Sequence, residues 1–346
     1  MGPSIGVLTN PNSGKNRRNP SRRRELERAV GRLGVVRQTD DLAGLAGVLD
    51  DFLELGCRYW VCDGGDGTLH WLLSVGAERI RAREAAGIPT RWPQIIPANG
   101  GSIDFVAHKA GIRGQAADVL RVLVHRLAHG EPIERTTLDT MRVRGTTHAG
   151  DDFDHLGFAA ALGGIAQRFF GKLYERRPVD AWSIARVIGN SVAGAVVGGA
   201  PTQLAGLLPQ SMRDYADEVW APTRAHVTVD GRRLPWGSYA TLQVGSIDIS
   251  LGGVVRTFRR AQQPGILHAQ AVSTTPLGIV ANLPNVVLGT PIWGSQVFDG
   301  AVETIDVHAL AGESLDPVID GEVFHGLAEL HVSHGPTLEV PRVSAA

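Results

Sequence analysis

Three glycine-bearing clusters and one late acidic triplet hold the residues best suited to chemistry on phosphate. The densest is Gly64-Gly65-Asp66-Gly67-Thr68, placed between the apolar run Tyr59-Trp60-Val61-Cys62 and the helix-compatible Leu69-His70-Trp71-Leu72-Leu73. Glycine lets a ligand approach bare backbone, and the N–H groups that open a helix favour an anion. A carboxylate would repel a naked phosphate, so Asp66 is expected to act through a metal ion, an ordered water or a ligand hydroxyl. Taken alone, the same residues also fit an ordinary glycine-rich turn between strand and helix. The earlier cluster, Asn10-Pro11-Asn12-Ser13-Gly14-Lys15, is not a P-loop: no glycine stands five positions before Gly14, and Asn16 follows Lys15. The third cluster is Gly100-Gly101-Ser102-Ile103-Asp104, and the late triplet is Asp320-Gly321-Glu322. In isolation the triplet reads as a β-turn with exposed acids.

Strands and helices must alternate to set these clusters in place. Ile5–Leu8, Val35–Thr39, Arg58–Cys62 and Gln94–Ile96 read as strands. Helical periodicity marks a helix around Leu26–Leu33, then Leu42–Leu55, Leu69 towards Arg83, Ile103–Ala110 and Gln115–His129. That alternation predicts an α/β domain over 1–132 with a parallel, doubly wound sheet and a ligand edge at the carboxyl ends of its strands. Gly130-Glu131-Pro132 reads as its boundary. Beyond it Thr136–Thr147, Phe153–Gly157, a Val227–Arg233 hairpin, Trp236–Val244, Ile266–Val272, Thr304–Ala309, Val318-Ile319 and Leu327–Val332 read as strands. The second domain, 133–332, is therefore expected to be mostly antiparallel β with a helical insertion over about 165–208. The tail, 333–346, is expected to return to the first domain.

Composition narrows the classes. At 346 residues two domains are natural. A formal net charge of −1 with 20% charged residues carries no global signature of nucleic-acid binding. Two cysteines, Cys57 and Cys62, make no disulfide framework, which favours a reducing, cytoplasmic setting. Met1–Ile5 lacks the pattern of a signal peptide, and Ala181–Leu208 is interrupted by Arg186, Asn190, Pro201 and Gln203, too polar to span a bilayer. Lys15, Arg17, Arg18, Arg22, Arg23 and Arg24 form either a solvated helix face or a contact for phosphates or an anionic membrane, the latter at the inner face.

In order and spacing, the three loops, with Ala107, Gly111, Ile112 and the Asp320-Gly321-Glu322 triplet, resemble the catalytic fold of diacylglycerol and sphingosine kinases, particularly the soluble bacterial lipid kinases. The resemblance implies a Rossmann-like, NAD-kinase-like nucleotide domain, ATP and Mg2+, and phosphorylation of a hydroxyl on diacylglycerol or another hydrophobic alcohol. It assigns Asn10, Pro11, Ser13, Gly14 and Lys15 to a first nucleotide loop and Gly64, Gly65, Asp66, Gly67 and Thr68 to a second. Gly100, Gly101, Ser102 and Asp104 form the third, and Thr39 is a further nucleotide contact. Asp320 becomes the general base, and Glu322 joins Asp66 around the metal. Asp104 stands where the family usually has Asn, Phe105 where many members have Asp, and Asn99 is an extra residue before the glycines. The family's Asp-Gly-x-Leu-Asp, which feeds a structural metal site, reads Gly265-Ile266-Leu267-His268 here after Gln263-Pro264, without either acid. That site is not expected; Asp248 is no clear substitute, and a lone His268 in a strand is more often packed or exposed than a ligand.

The insertion's Phe158, Phe169, Phe170, Leu173, Trp182, Ile184, Val187 and Ile188 suit an acyl chain, core packing or a homodimer interface equally well. Two other readings stay open. One is a kinase for a non-lipid hydroxyl, because NAD kinases share the Gly-Gly-Asp-Gly loop; the first loop and the late triplet argue against NAD kinase itself. The other is a degenerate member that binds nucleotide or lipid without turnover, motivated by Asp104, Phe105 and Pro264. Retention of Asp66, Asp320 and Glu322 argues against degeneracy.

Overall fold

The computed structural model describes residues 2–39, 41–101, 103–174, 181–198, 210–251 and 255–344. Ser102 and residues 199–208 of the expected insertion lie outside the described residues, as do the side chains of Trp182 and Ile184. The chain divides into two compact units: Met1–Thr140 with Pro336–Ala346, and Met141–Gly335. The first unit runs beyond residue 132, because its boundaries fall inside two long strands rather than in the Gly-Glu-Pro connector.

The first unit contains β1 (Ile5–Thr9), α1 (Arg22–Val30), β2 (Gly34–Gln38), α2 (Leu45–Glu54), β3 (Tyr59–Gly64), α3 (Asp66–Ala85), β4 (Gln94–Asn99), α4 (Phe105–Lys109) and α5 (Ala116–His129). The four strands form a sheet in the order β2-β1-β3-β4, and every pair is parallel. β1 and β3 are buried at every position, as central parallel strands covered on both faces must be. Phe52 packs over Gly6, where a Cβ would lie 2.7 Å from its ring, and reaches the fully buried Trp60 at 6.1 Å between centroids. Truncating a buried aromatic of this kind costs about 3–5 kcal/mol.

The second unit is mostly antiparallel. β5 (Arg135–Thr147), β6 (Asp152–Gly157) and β7 (Ala159–Gly163) lead into α6 (Gly164–Tyr174), α7 (Ala181–Gly198) and α8 (Gln210–Trp220). The last of these helices, Gln210–Trp220, lies past the expected end of the helical insertion at 208. Then follow β8 (Thr223–Val229), β9 (Arg232–Arg233), β10 (Ser238–Tyr239), β11 (Thr241–Gly245), β12 (Ile249–Leu251), β13 (Val255–Thr257) and β14 (Leu267–Val272). After α9 (Pro276–Ala281) and α10 (Leu283–Leu288) come β15 (Val297–Val302), β16 (Thr304–Ala309), β17 (Val318–Ile319), β18 (Glu322–Val323) and β19 (Leu327–Pro341). One sheet runs β10-β8-β16-β19-β5-β6 with β9 on β8, and another runs β15-β14-β11-β7-β17-β18. Met141, Val143, Leu162, Val227, Leu242 and Val307 belong to the core that these strands bury. The β8–β9 hairpin turns on Asp230 and Gly231, both at positive φ, as its Asp-Gly sequence requires.

Candidate functional site

β1, β3 and β4 run parallel, so the segments after their carboxyl ends lie along one edge of the sheet. There the glycines serve one another first. A Cβ on Gly101 would stand 2.5 Å from Cα of Gly65, and one on Gly100 would stand 2.8 Å from the backbone N of Gly64. The Gly100 N–H donates to the Gly64 carbonyl at 3.1 Å. Only glycine permits this backbone-on-backbone contact.

Side chains complete the junction. Asn10 donates from Nδ2 to the Thr68 hydroxyl at 3.0 Å, and the Ser13 hydroxyl donates to the Asn10 carbonyl at 2.9 Å. Lys15 Nζ reaches Asp104 Oδ2 at 2.9 Å and the Asn99 carbonyl at 3.1 Å. Asp104 sits in the left-handed region, φ 54, which Asp and Asn tolerate best among non-glycine residues. Its second oxygen accepts the Gly101 N–H at 2.8 Å. The expected start of the third helix at Leu69 is corrected: α3 begins at Asp66, with Gly65 as its N-cap residue. Asp66, Gly67 and Thr68 are therefore the first turn of a 20-residue helix, where a carboxylate is favoured. Asp66 also accepts the N–H groups of Phe105 at 3.1 Å and Val106 at 3.2 Å, and so caps α4.

Beneath these loops lies Asp63, the residue that the sequence reading passes over. It is fully buried and binds Thr9 Oγ1 at 2.8 Å, Asn16 Nδ2 at 3.0 Å and Arg22 Nη2 at 2.7 Å. The Asn16 amide also donates to the Asp63 carbonyl at 2.9 Å and the Asn10 carbonyl at 3.1 Å, so the first loop is moored to β3. A lone carboxylate ending an apolar strand was the signal available, and a buried charge demands such partners. Arg22 leaves the expected solvated or phosphate-facing basic run for this buried role.

Burial pushes the Cys62 thiol well above its usual range, and Asp63, Asp104 and Asp66 add to the effect. Lys15 Nζ already supplies positive charge to Asp104, and the carboxylate oxygens of Asp66 are hard donors of the kind that magnesium takes. Pro11 and Gly14 lie on the first loop, with Gly14 exposed, and Gly67 lies in the first turn of α3. Thr39 is not drawn in by its side chain: its hydroxyl donates to the Asp41 carbonyl in its own turn. A cavity of about 10 Å3 lined by Gly65, Asp66 and Asp104 has room for one water, so a larger ligand must bind on the open side of the loops.

In the second unit, Asp320 and Gly321 form the two-residue turn between β17 and β18, both at positive φ, and Glu322 opens β18. This is the hairpin geometry that an Asp-Gly turn favours. Its acid is not exposed. Asp320 is 5% exposed and accepts the N–H groups of Phe158 at 3.0 Å and Ala159 at 2.9 Å. Burial pushes its carboxyl up to about 7, although those N–H groups pull the other way. Gly157 makes the room, since a Cβ there would meet Asp320 Oδ2 at 2.9 Å.

The segment where the resemblance would bring a structural metal has its acid already paired. His268, fully buried, bonds through Nε2 to Asp299 at 2.6 Å, and Arg259 binds the same carboxylate at 2.8 and 3.1 Å. Burial opposes the charge on Asp299, yet His268 and Arg259 hold it well below the usual carboxylate range. Asp248 is likewise bound by Arg256, at 2.6 Å. Arginine supplies the positive charge here.

No protein-family model matches the sequence. No curated protein matches it either. Solved structures do resemble it. One, described as "a putative diacylglycerol kinase from Bacillus anthracis str. Sterne", aligns over 98% of this chain and 97% of its own, with a TM-score of 0.60 and 14% identity. Another, described as a diacylglycerol kinase from the same organism, aligns over 96% and 94%, with a TM-score of 0.54 and 14% identity. The likeness is one of fold, and the chain has the two-part α/β fold of these proteins.

Proposed function

We propose that this chain is an ATP-dependent kinase that phosphorylates a hydroxyl group of a lipid, diacylglycerol or a related hydrophobic alcohol. The observation that carries the reading is the joining of three loops at the carboxyl edge of a parallel sheet, with Asp66 opening a long helix. Fold likeness to proteins described as diacylglycerol kinases supports the choice of acceptor class.

In this mechanism the N–H groups of Gly65 to Thr68 at the head of α3 bind phosphate oxygens, and Lys15 offers a mobile point charge to them. Asp66 would hold Mg2+, which when bound offsets charge developing on the transferring phosphoryl group. Asp320 takes the proton of the acceptor hydroxyl as that oxygen forms its bond to the γ-phosphorus and the bond to ADP breaks. A carboxyl near pH 7 is poised for such work, being available as a base while still able to release the proton. The protein is proposed to work in the cytoplasm at the inner membrane face, where its acceptor resides.

One observation favours a second reading, binding without turnover: both oxygens of Asp66 accept N–H groups of α4, and Lys15 already holds Asp104. Labelled ATP with Mg2+ and dispersed lipids separates the two. Label in the lipid fraction supports the kinase, label only in a water-soluble acceptor supports the non-lipid alternative, and nucleotide binding without transfer supports the second reading.

A further inference from the structure

No charged residue occurs between His268 and Asp299. That stretch holds α9 and α10, neither of which has a buried residue within its span. Four of the eight large apolar side chains exposed among the described residues fall here: Leu277 at 46%, Val287 at 48%, Leu288 at 69% and Trp293 at 64%.

The display is built rather than frayed. Asn282, 4% exposed, accepts the Trp293 N–H at 3.0 Å and donates to the Trp293 carbonyl at 3.1 Å. It also donates to the Gly278 carbonyl at 3.0 Å and accepts from Asn285 at 2.9 Å, so one amide locks both helices and the tryptophan backbone. The neighbouring Ile292 N–H donates to Asp299 at 2.7 Å, the carboxylate that Arg259 and His268 hold. Buried polar groups thus fix a backbone whose indole stands in solvent.

We propose that this face docks on a lipid bilayer containing anionic headgroups. A surface free of charge enters the headgroup boundary without desolvating ions, and tryptophan prefers that depth. Two six-residue helices are too short to cross hydrocarbon and suit shallow burial instead. A cation flanks the face. Arg256, paired with Asp248 and still half-exposed, packs its stem against Gly289 at the end of α10. Its guanidinium offers positive charge to phosphate headgroups. The choice of a bilayer over a protein partner rests on the lipid-kinase reading.

Co-sedimentation of the full chain with vesicles of phosphatidylcholine, with and without phosphatidylglycerol, tests the inference in the absence of ATP and acceptor. Wild type should pellet with vesicles, more so with phosphatidylglycerol. Leu288→Gln with Trp293→Gln should lower the bound fraction at least tenfold, while Leu42→Gln, an exposed apolar site in the first unit, changes nothing. Unchanged thermal midpoints exclude misfolding. Wild type left in the supernatant, or a double variant that pellets equally, overturns the inference. A dimer in sedimentation velocity that the double variant dissolves does so too, by assigning the face to a second copy. Transfer to a detergent-dispersed acceptor should survive in the double variant. Its absence in every form, with vesicle binding intact, overturns the kinase reading alone.

Discussion

The Nζ atom of Lys15 stands 2.9 Å from Oδ2 of Asp104, and the other oxygen of that carboxylate accepts the Gly101 N–H at 2.8 Å. Asp104 therefore serves two loops with its two oxygens. Asp104→Asn keeps an acceptor for Gly101 and tolerates the left-handed backbone, while it loses an ion pair whose lysine end is exposed. Its expected cost is under about 1 kcal/mol. Asp104→Ala strands a buried N–H and places alanine at φ 54, for about 2–4 kcal/mol. Urea unfolding of the two variants checks the ordering.

Asp63 and Arg22 make a tighter test of the loop's foundation. Asp63→Ala leaves the Arg22 guanidinium, 9% exposed, without its partner and releases Thr9 and Asn16. A loss of about 3–5 kcal/mol is expected, since an uncompensated buried charge costs that much. Thermal or urea denaturation measures it, and a loss under about 1 kcal/mol contradicts the mooring.

What the sequence makes legible follows physical lines. β1 to β4 show as apolar runs ending in turn residues, because buried parallel strands leave no other pattern. β7 escapes notice because Ala-Ala-Ala-Leu-Gly has no β-branched residue, and α9 and α10 because prolines and a lack of charge mask their periodicity. The start of α3 is misread because Gly67 weighs against a helix, although a first turn tolerates it. The Asp320 turn is readable as Asp-Gly, while its inward carboxylate depends on Gly157 and on N–H groups far away in the chain. Tertiary partners decide burial, and one sequence does not display them.

Asp66 now carries a structural duty as well as its proposed chemistry. Asp66→Ala should abolish phosphoryl transfer and also cost about 1–2 kcal/mol, because the Phe105 and Val106 N–H groups lose their acceptor. Unfolding curves and transfer assays on the same preparation separate the two effects. Full stability with no transfer would leave the cap to α4 without weight.

Asp320 sets a pH dependence of definite sign. Its carboxyl titrates near 7 when folded, against an ordinary value of 3.8, so between about pH 4 and 7 the unfolded chain loses a proton that the folded chain keeps. That group's contribution to stability therefore falls as pH rises across this window, by up to about 4 kcal/mol, and is flat above it. Asp320→Asn should flatten that part of the stability profile. Urea midpoints at pH 5, 6, 7 and 8 for both proteins show whether it does.

The most direct measurement is the pH dependence of phosphate transfer from labelled ATP to a detergent-dispersed lipid alcohol, in wild type and Asp320→Asn. Wild type should label the lipid, with kcat/KM rising through about pH 7 as the Asp320 carboxyl ionises, and Asp320→Asn should lose at least a hundredfold. Label that never enters a lipid, or an Asp320→Asn protein that transfers at the wild-type rate, contradicts the account.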